Sequence, residues 1–552
     1  MEERNRPILK NPAWWLLATP MVVPALLVMA ALAVMLYYSF TRFNVLSPAA
    51  FVGLQNYAQL LADSLHWTAV GNTVLYLLLG GGVSIALGWL CGTGAARLPL
   101  FLRLILLVLF GAGALLSLCQ QSWMTYIFDK DAYGLLNALL LQHFGQVADA
   151  PAVGGLITEP IPWAAMYPTA IRLLQLILVG VGPAFFIFYV GGRTGRSRAA
   201  WHTAVAAAPM WLVLRWNITV TVTGTPTADY RGLWLPEYLN DYLNTRFDIG
   251  YGAAILMHLI LLLAVLVGVA QVVVWLCTRH SRTAAMPDRP GTLAWCGGGV
   301  GLMIGALVTV LLVLVINGAL KPMDEWLLFP PRFFVQRPTL DNFSFENYWA
   351  QPNGFLHLLP IYWLVSVVYY CTAILPPAVF LAFSGSRLRR PVLLLWLAVM
   401  AMAPLARYSI LWWEWRLVNA LGPVLRLCCH FSPLYPACLL LTVLILRGVA
   451  TGCHGFSDLF RSTRRIFCSI AGVLGCCVLF PLSMLLEQNG LGLIYDSRHH
   501  FPLQLLSVLS GGVEFAGTLT IVLVGLALLL AGLTGMTVAL HSRTEIRRVG
   551  KE

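Results

Sequence analysis

Long apolar runs, separated by short polar pieces that carry arginine, constrain this chain more than any other feature. A helix of about 20 apolar residues spans the hydrocarbon core of a bilayer. A membrane β-barrel would instead show short segments of alternating hydrophobicity. The runs therefore predict an all-α polytopic membrane protein with about twelve transmembrane helices. They lie at residues 15–40, 69–92, 98–127, 163–190, 199–223, 251–277, 297–319, 356–383, 391–413, 432–450, 466–487 and 513–540.

The composition agrees with this reading. Only 11% of the 552 residues are charged and 59% are hydrophobic, whereas a soluble domain carries about 25% charged residues. An ordinary soluble enzyme, a disordered protein and a disulfide scaffold are therefore excluded. The 12 cysteines form no Cys-x-x-Cys pair, so we expect buried, reduced thiols and no metal site.

The distribution of charge predicts how the chain is oriented. With a cytoplasmic N-terminus, 22 of the 35 basic residues fall in inside loops, and about 17 of the 23 acidic residues fall outside. This asymmetry follows the positive-inside rule. We expect a multi-pass protein of the bacterial plasma membrane with both termini in the cytoplasm. The basic loops then face an anionic lipid bilayer, and no nucleic-acid partner is needed to explain the net charge of +12.

The chain repeats its own organisation. Each half has one span, a long external loop and five further spans. The first loop contains Gly53-Leu54-Gln55-Asn56-Tyr57, and the corresponding loop of the second half ends with residues 341–348. Six spans per repeat predict parallel repeats around an axis along the membrane normal. We expect a first half at residues 1–280, a cytoplasmic linker at 281–296 and a second half at 297–552.

Several kinds of chemistry are absent from the sequence. A P-loop needs a glycine-rich turn followed by Lys and Ser or Thr, but the four lysines precede Asn, Asp, Pro and Glu. No His-Glu-x-x-His motif occurs, and no aspartate lies deep in a predicted span. We therefore expect no enzymatic activity, no catalytic residues and no cofactor.

Ordered motifs in the first half resemble one permease subunit of the binding-protein-dependent ABC importers that take up maltose-like sugars and glycerol phosphate. No single motif is specific, but their order follows that of the family over nearly the whole chain. In the first half they are Tyr38-Ser39-Phe40, Gly53 to Tyr57, Asn72-Thr73-Val74-Leu75-Tyr76, Trp123, Tyr133 to Asn137, residues 224–229 and residues 249–254.

The second half resembles the partner permease of the same family. Its motifs are residues 317–325, Pro330-Pro331, residues 338–342 and residues 500–511. The resemblance implies a fused heterodimeric permease with a translocation path between its halves. It also implies two separate ATP-binding cassette ATPase subunits and an extracellular solute-binding protein as partners.

The cytoplasmic loops between the fourth and fifth spans of each half depart from the family pattern. The family has Glu-Ala-Ala followed by Asp-Gly-Ala in a coupling helix that contacts the ATPase, and both stretches are absent here. Both loops are shortened and rich in glycine, which disfavours a helix. The residues that could contact the ATPase there instead are Arg193, Arg196, Arg198, Trp201, Asp458 and Arg461.

Polar side chains within or beside the spans are candidates for the solute path. An ionisable residue inside a membrane is costly and is usually paired or faces a cavity. The candidates are Arg172, Arg215, Trp216, Asn217, Glu487 and Asn489; a structural ion pair or snorkelling to the interface would equally explain the arginines.

Three functions fit the sequence. The first is the transport permease of an ABC importer for a carbohydrate or polyol-phosphate-like solute. The second is a degenerate, coupling-deficient permease that acts as a membrane scaffold or sensor partner, which the shortened loops favour. The third is a secondary carrier, which the scarcity of charges within the spans disfavours.

Overall fold

The computed structural model describes residues 19–118 except 45, 134–144, 161–213 except 195 and 196, 232–279, 290–343 except 327 and 329–333, and 374–383, with isolated positions elsewhere. The predicted spans at 391–413 and 466–487 lie outside the described residues. Those at 356–383, 432–450 and 513–540 are described only in part.

Helices form most of the described chain. Those before residue 280 are α1 (Thr19–Ser39), α2 (Gln55–Ala62), α3 (Ser64–Ala95, with a π-helical turn at Tyr76–Gly81), α4 (Leu100–Leu118), α5 (Leu135–Phe144), α6 (Trp163–Met166), α7 (Pro168–Thr194), α8 (Ser197–Val213), α9 (Leu235–Asn240, followed by a π-helical turn at Asp241–Thr245) and α10 (Ile249–Thr278). Those after residue 290 are α11 (Thr292–Leu320), α12 (Met323–Trp326), a 3-10 turn (Asp341–Phe343) and α13 (Leu375–Phe383).

Five helices in the described part of the chain are long and apolar enough to cross a membrane: α3, α4, α7, α10 and α11. They coincide with the predicted spans at 69–92, 98–127, 163–190, 251–277 and 297–319. Helices α1 and α8 lie where the spans at 15–40 and 199–223 are predicted. Helix α11 begins at Thr292, so the last residues of the predicted linker are helical. The total of twelve spans stays a prediction.

The long helices share two ends. At the first, α1 and α11 finish and α3, α7 and α10 begin, together with a small β-hairpin; we call this the hairpin end. At the other, α3, α7 and α10 finish and α4, α8 and α11 begin. Arg97, Arg103, Arg193, Arg198 and Arg279 lie there, and we call it the arginine end.

Small residues let the long helices approach one another closely. A side chain at Gly88 or Gly92 of α3 would collide with Ala184 and Phe185 of α7. Gly297 of α11 lies directly against the backbone of Leu90. Helix packing in membranes relies on such small residues, because burying apolar surface gives no hydrophobic gain in lipid. Helices α3, α7 and α11 therefore form the packed centre of the described region.

The β-hairpin was not predicted from the sequence. Strands β1 (Thr41–Asn44) and β2 (Ser47–Phe51) pair antiparallel, and Asn44 forms a further bridge with Asp248, just before α10. The hairpin lies in the predicted long external loop of the first half. It adds a small amount of β-structure to an otherwise helical chain.

Candidate functional sites at the two ends of the helices

Arg172 lies in the first turns of α7 and is almost completely buried, with 1% of its surface exposed. Its guanidinium forms an ion pair with the carboxylate of Glu237, with 2.9 Å between Nη1 and Oε2. It also donates to the carbonyl of Gly232. The rings of Tyr76 and Trp234 each lie 5.7 Å from its guanidinium carbon. Among the predicted path residues, Arg172 thus joins α7 to the segment around α9.

The segment that Arg172 contacts is also bound by one face of α3. Asn72 donates to the carbonyl of Leu233 over 2.6 Å, and the hydroxyl of Thr73 accepts from the amide of Leu235 over 2.8 Å. The hydroxyl of Tyr76 donates to the carbonyl of Gly232 over 3.3 Å. These three side chains belong to the Asn72-to-Tyr76 motif of the family resemblance. Its polar residues therefore fix the chain that precedes α9.

Asp63 gathers a second group of side chains at the hairpin end. It caps α3 by accepting from the amide of Leu65 over 2.9 Å, and its other oxygen accepts from the hydroxyls of Tyr238 and Tyr251. Burial opposes ionisation, but these hydrogen bonds lower the pKa of Asp63 below its ordinary value. Burial and the bond to Asp63 raise the pKa of Tyr238. The group connects α3, α9 and α10.

Two histidines lie directly beside this group. Nε2 of His66 is 2.6 Å from Nδ1 of His258, which joins α3 to α10 by a hydrogen bond. Together with Asp63, the pair was not singled out from the sequence. No three His, Cys, Asp or Glu side chains converge to hold a metal within the described residues.

Asparagine side chains fix the turns that follow α1 and α11 in a similar way. The amide of Asn56 donates to the carbonyls of Ser39 and Thr41, at 2.9 and 2.8 Å, just after α1. The amide of Asn342 donates to the carbonyls of Ala319 and Lys321, at 2.9 and 2.8 Å, just after α11. Each amide therefore bridges two carbonyls that lie two residues apart.

The second of these turns also holds two buried charged side chains. Glu325 accepts from the amides of Gln336 and Arg337, at 3.1 and 2.8 Å, and only 1% of its surface is exposed. Lys321 lies over the ring of Trp326 at 4.9 Å. Burial lowers the pKa of Lys321, and the nearby carboxylate of Glu325 opposes this effect. The family-like stretch at 317–325 therefore fixes the loop that follows α11.

The predicted coupling loop of the first half is very short. Helix α7 ends at Thr194 and α8 begins at Ser197. Trp201 packs inward, with its ring 4.9 Å from Phe188 and 5.8 Å from Trp89. Arg193 reaches the carbonyl of Ala96 at 3.4 Å. Arg198 lies half-buried in the first turn of α8.

The other predicted site residues lie outside the described residues. They are Arg215, Trp216 and Asn217 of the first half, Glu487 and Asn489 of the second, and the coupling candidates Arg196, Asp458 and Arg461. Sequence analysis also missed Glu237, which lies in the stretch around α9. The polar face formed by Asn72, Thr73 and Tyr76 on an apolar helix was the available signal that this stretch is bound to the helices.

No family model matches the chain. Over 195 residues the chain is 26% identical to the "Probable ABC transporter permease protein y4oQ" of Sinorhizobium fredii. The matched region is 34% of this chain and 58% of that relative, so the chain spans somewhat more than half of the relative's length. The similarity supports the ABC permease class for this chain.

Proposed function

We propose that the chain is the membrane-spanning permease of an ABC-type importer, in which two permease halves are fused. Its solute is a carbohydrate or a polyol-phosphate-like compound, and separate ATPase subunits supply the energy. The observation that carries this proposal is the similarity to an ABC transporter permease. It agrees with the ordered family motifs and with five described helices that are suited to cross a membrane.

The matching asparagines support the fusion of two halves. Leu54-Gln55-Asn56-Tyr57 and Leu340-Asp341-Asn342-Phe343 share a pattern, and each asparagine bridges two carbonyls that lie two residues apart at the end of a long helix. Unrelated segments would have no reason to share both features. In this proposal the second half begins at α11, and the linker lies between α10 and α11.

The solute path in this proposal runs between the halves. Arg215, Trp216 and Asn217 line it from the first half, and Glu487 and Asn489 line it from the second. Arg172 is a positioning residue, because its ion pair with Glu237 fixes the segment around α9. That segment forms part of the mouth of the path, where a solute-binding protein delivers the solute.

The test is to purify the full chain gently from its native membrane and to identify the proteins that accompany it by mass spectrometry. The proposal expects a P-loop ATPase and a solute-binding lipoprotein in stoichiometric amounts. ATP-dependent uptake by vesicles that contain the purified complex would then identify the solute. The absence of any ATPase from a monodisperse, folded preparation would contradict the proposal.

The second candidate is a coupling-deficient permease that acts as a scaffold or sensor partner. The observation that favours it is the two-residue connection between α7 and α8. An ATPase that co-purifies with the chain but shows no stimulation by the solute and its binding protein would favour this candidate over transport.

A further inference from the structure

Two arginines and a tyrosine come together at the arginine end. Arg103 lies in the first turn of α4, Arg193 lies in the last turn of α7, and Tyr189 lies one helical turn before it. Arg103 donates to the carbonyl of Leu98 over 2.7 Å. Arg193 donates to the carbonyl of Ala96, two residues before Leu98 in the same connection, over 3.4 Å. The side chain of Arg103 also interacts with the hydroxyl of Tyr189. Two like charges are thus held side by side at the junction of two helices.

Three buried polar atoms in this cluster have no hydrogen-bond partner among the residues that the structure describes. They are Nε of Arg103, Nε of Arg193 and the hydroxyl of Tyr189, and only 1% of the surface of Tyr189 is exposed. Buried polar groups are nearly always satisfied, so each exception requires an explanation such as a bound ion. Neither arginine forms an ion pair in the described part of the chain.

No acidic residue lies close to the two arginines along the chain. No aspartate or glutamate occurs between Asp63 and Asp129 or between Glu159 and Asp229, so the helices that carry the two arginines contain none. Two guanidinium groups repel each other unless an anion lies between them. The first amides of α4 add the positive end of a helix dipole at the same place.

Apolar side chains on the same turn of α4 are exposed. Leu100, Phe101 and Leu104 have 58%, 73% and 38% of their surface exposed. On a helix that crosses a membrane, such side chains contact acyl chains. A phosphate at Arg103 would thus lie directly beside a surface for the tail of the same lipid. Basic pockets between helices on the cytoplasmic side are known to take acidic headgroups.

We propose that Arg103, Arg193 and Tyr189 form a binding site for a phosphate group, and that its occupant is the headgroup of an anionic phospholipid. The guanidinium groups donate to the phosphate oxygens, as arginine does in phosphate recognition generally. The hydroxyl of Tyr189 supplies a further donor. This site goes beyond the proposed transport function and does not depend on an ATPase or a solute.

The test measures lipid binding to the full chain, purified with any accompanying subunits in a neutral detergent. Phosphatidylglycerol and phosphatidylcholine are titrated in turn, and bound lipid is counted by native mass spectrometry. We expect the double variant Arg103→Gln/Arg193→Gln to weaken phosphatidylglycerol binding by about tenfold or more, since it removes two charge-assisted donors. Unchanged affinity in this variant would overturn the proposal.

Two further variants keep the test decisive. Arg198→Gln/Arg279→Gln removes the same charge at the same end but outside the cluster, and we expect no more than about a twofold change, as for surface charges generally. Tyr189→Phe retains the charges and the shape, and we expect binding to weaken about threefold to tenfold. If the double arginine variant does not fold, wild-type affinity in Tyr189→Phe would itself contradict the proposal.

A titration with inorganic phosphate distinguishes the source of the anion. Competition by phosphate only far above the lipid concentration supports a lipid headgroup. Phosphate binding of the same strength as lipid binding supports the phosphate site but assigns it to a soluble anion. Loss of a co-purifying subunit from the double arginine variant, with lipid affinity unchanged, would overturn the proposal in favour of a protein carboxylate.

Discussion

The two ends of the described helices differ in how their charged groups are compensated. At the hairpin end, charges bond within the chain, as in the ion pair of Arg172 with Glu237 and the tyrosine hydroxyls on Asp63. At the arginine end, Arg103 and Arg193 form no ion pair among the described residues. The first end therefore compensates its own charges and acts as a scaffold. The second is suited to contact molecules outside the chain.

The difference also explains where the family-like motifs lie. The polar residues of the motifs at 53–57, 72–76, 317–325 and 338–342 bond to backbone groups of the loops at the hairpin end. They fix loops, so the resemblance is carried by the scaffold of the hairpin end. The five predictions below test the contrast between the ends, from the largest expected effect to the smallest.

Removal of Glu237 should have the largest effect. Glu237→Ala leaves the guanidinium of Arg172 buried without its carboxylate, which costs about 3–5 kcal/mol of unfolding free energy. Asp241→Ala breaks an exposed ion pair with Arg246 and should cost less than about 1 kcal/mol. Thermal unfolding of both variants in detergent gives the comparison. Equal losses of stability in the two variants would show that the buried pair of Arg172 and Glu237 stabilises the fold no more than an exposed ion pair does.

The bond from Thr73 to the α9 segment can be tested by an isosteric change. Thr73→Val removes the acceptor of the buried amide of Leu235 and should cost about 1–3 kcal/mol. Thr203→Val is the matched control, because among the described residues the hydroxyl of Thr203 bonds only to the carbonyl of Ala199 within its own helix. If both variants unfold at the same temperature, α3 does not fix the segment.

The two asparagines test whether the halves are built alike. Asn56→Ala and Asn342→Ala each remove two hydrogen bonds to backbone carbonyls, so each should cost about 1–2 kcal/mol, and the double variant should be close to additive. Asn44→Ala serves as the control, because it removes an asparagine side chain that is exposed on the hairpin. A large loss for one asparagine and none for the other would argue against equivalent turns.

Acid should weaken the hairpin end through Asp63. Its pKa is lower in the folded chain than in the unfolded chain, so its contribution to stability is present above the ordinary carboxyl range. That contribution is lost as the pH falls through this range towards the lower folded-state pKa. Asp63→Asn should reduce the dependence of the unfolding temperature on pH below about 5. If the unfolding temperature of this variant depended on pH as it does in the wild type, Asp63 would not be the source of the acid sensitivity.

Neutralising the arginine end should have the smallest effect on stability. Arg103→Gln/Arg193→Gln removes two mutually repelling charges and bonds to the carbonyls of Leu98 and Ala96. These effects oppose each other, so the unfolding free energy should change by less than about 1 kcal/mol. A loss as large as that of Glu237→Ala would show that the arginine end is a scaffold too.

Much of the helical architecture could be predicted from the sequence, because apolar runs of membrane length have few alternatives in lipid. The ranges of α3, α4, α7, α10 and α11 agree with predicted spans to within several residues. The β-hairpin could not be predicted, since its residues carry no alternating pattern. Glu237 was missed because its partner Arg172 lies 65 residues away, and sequence spacing alone does not reveal such a contact.

The candidate site was harder to predict than the fold. Arg172 was identified from its place in an apolar run, but its environment depends on tertiary contacts with Tyr76 and Trp234. Trp201 was predicted at a coupling surface, and the structure packs it against Phe188. The cluster of Arg103 with Tyr189 depends on two helices meeting at their ends. No local pattern encodes that arrangement.

The measurement that tests the account most directly is crosslinking from both ends of the same complex. A photoreactive residue is placed at Arg198, at the arginine end, and separately at Leu46, which is 96% exposed on the hairpin. The crosslinked proteins are then identified by mass spectrometry. We expect a P-loop ATPase at position 198 and none at position 46. Crosslinking of an ATPase at position 46, or at neither position in an active complex, would contradict the proposed orientation and function.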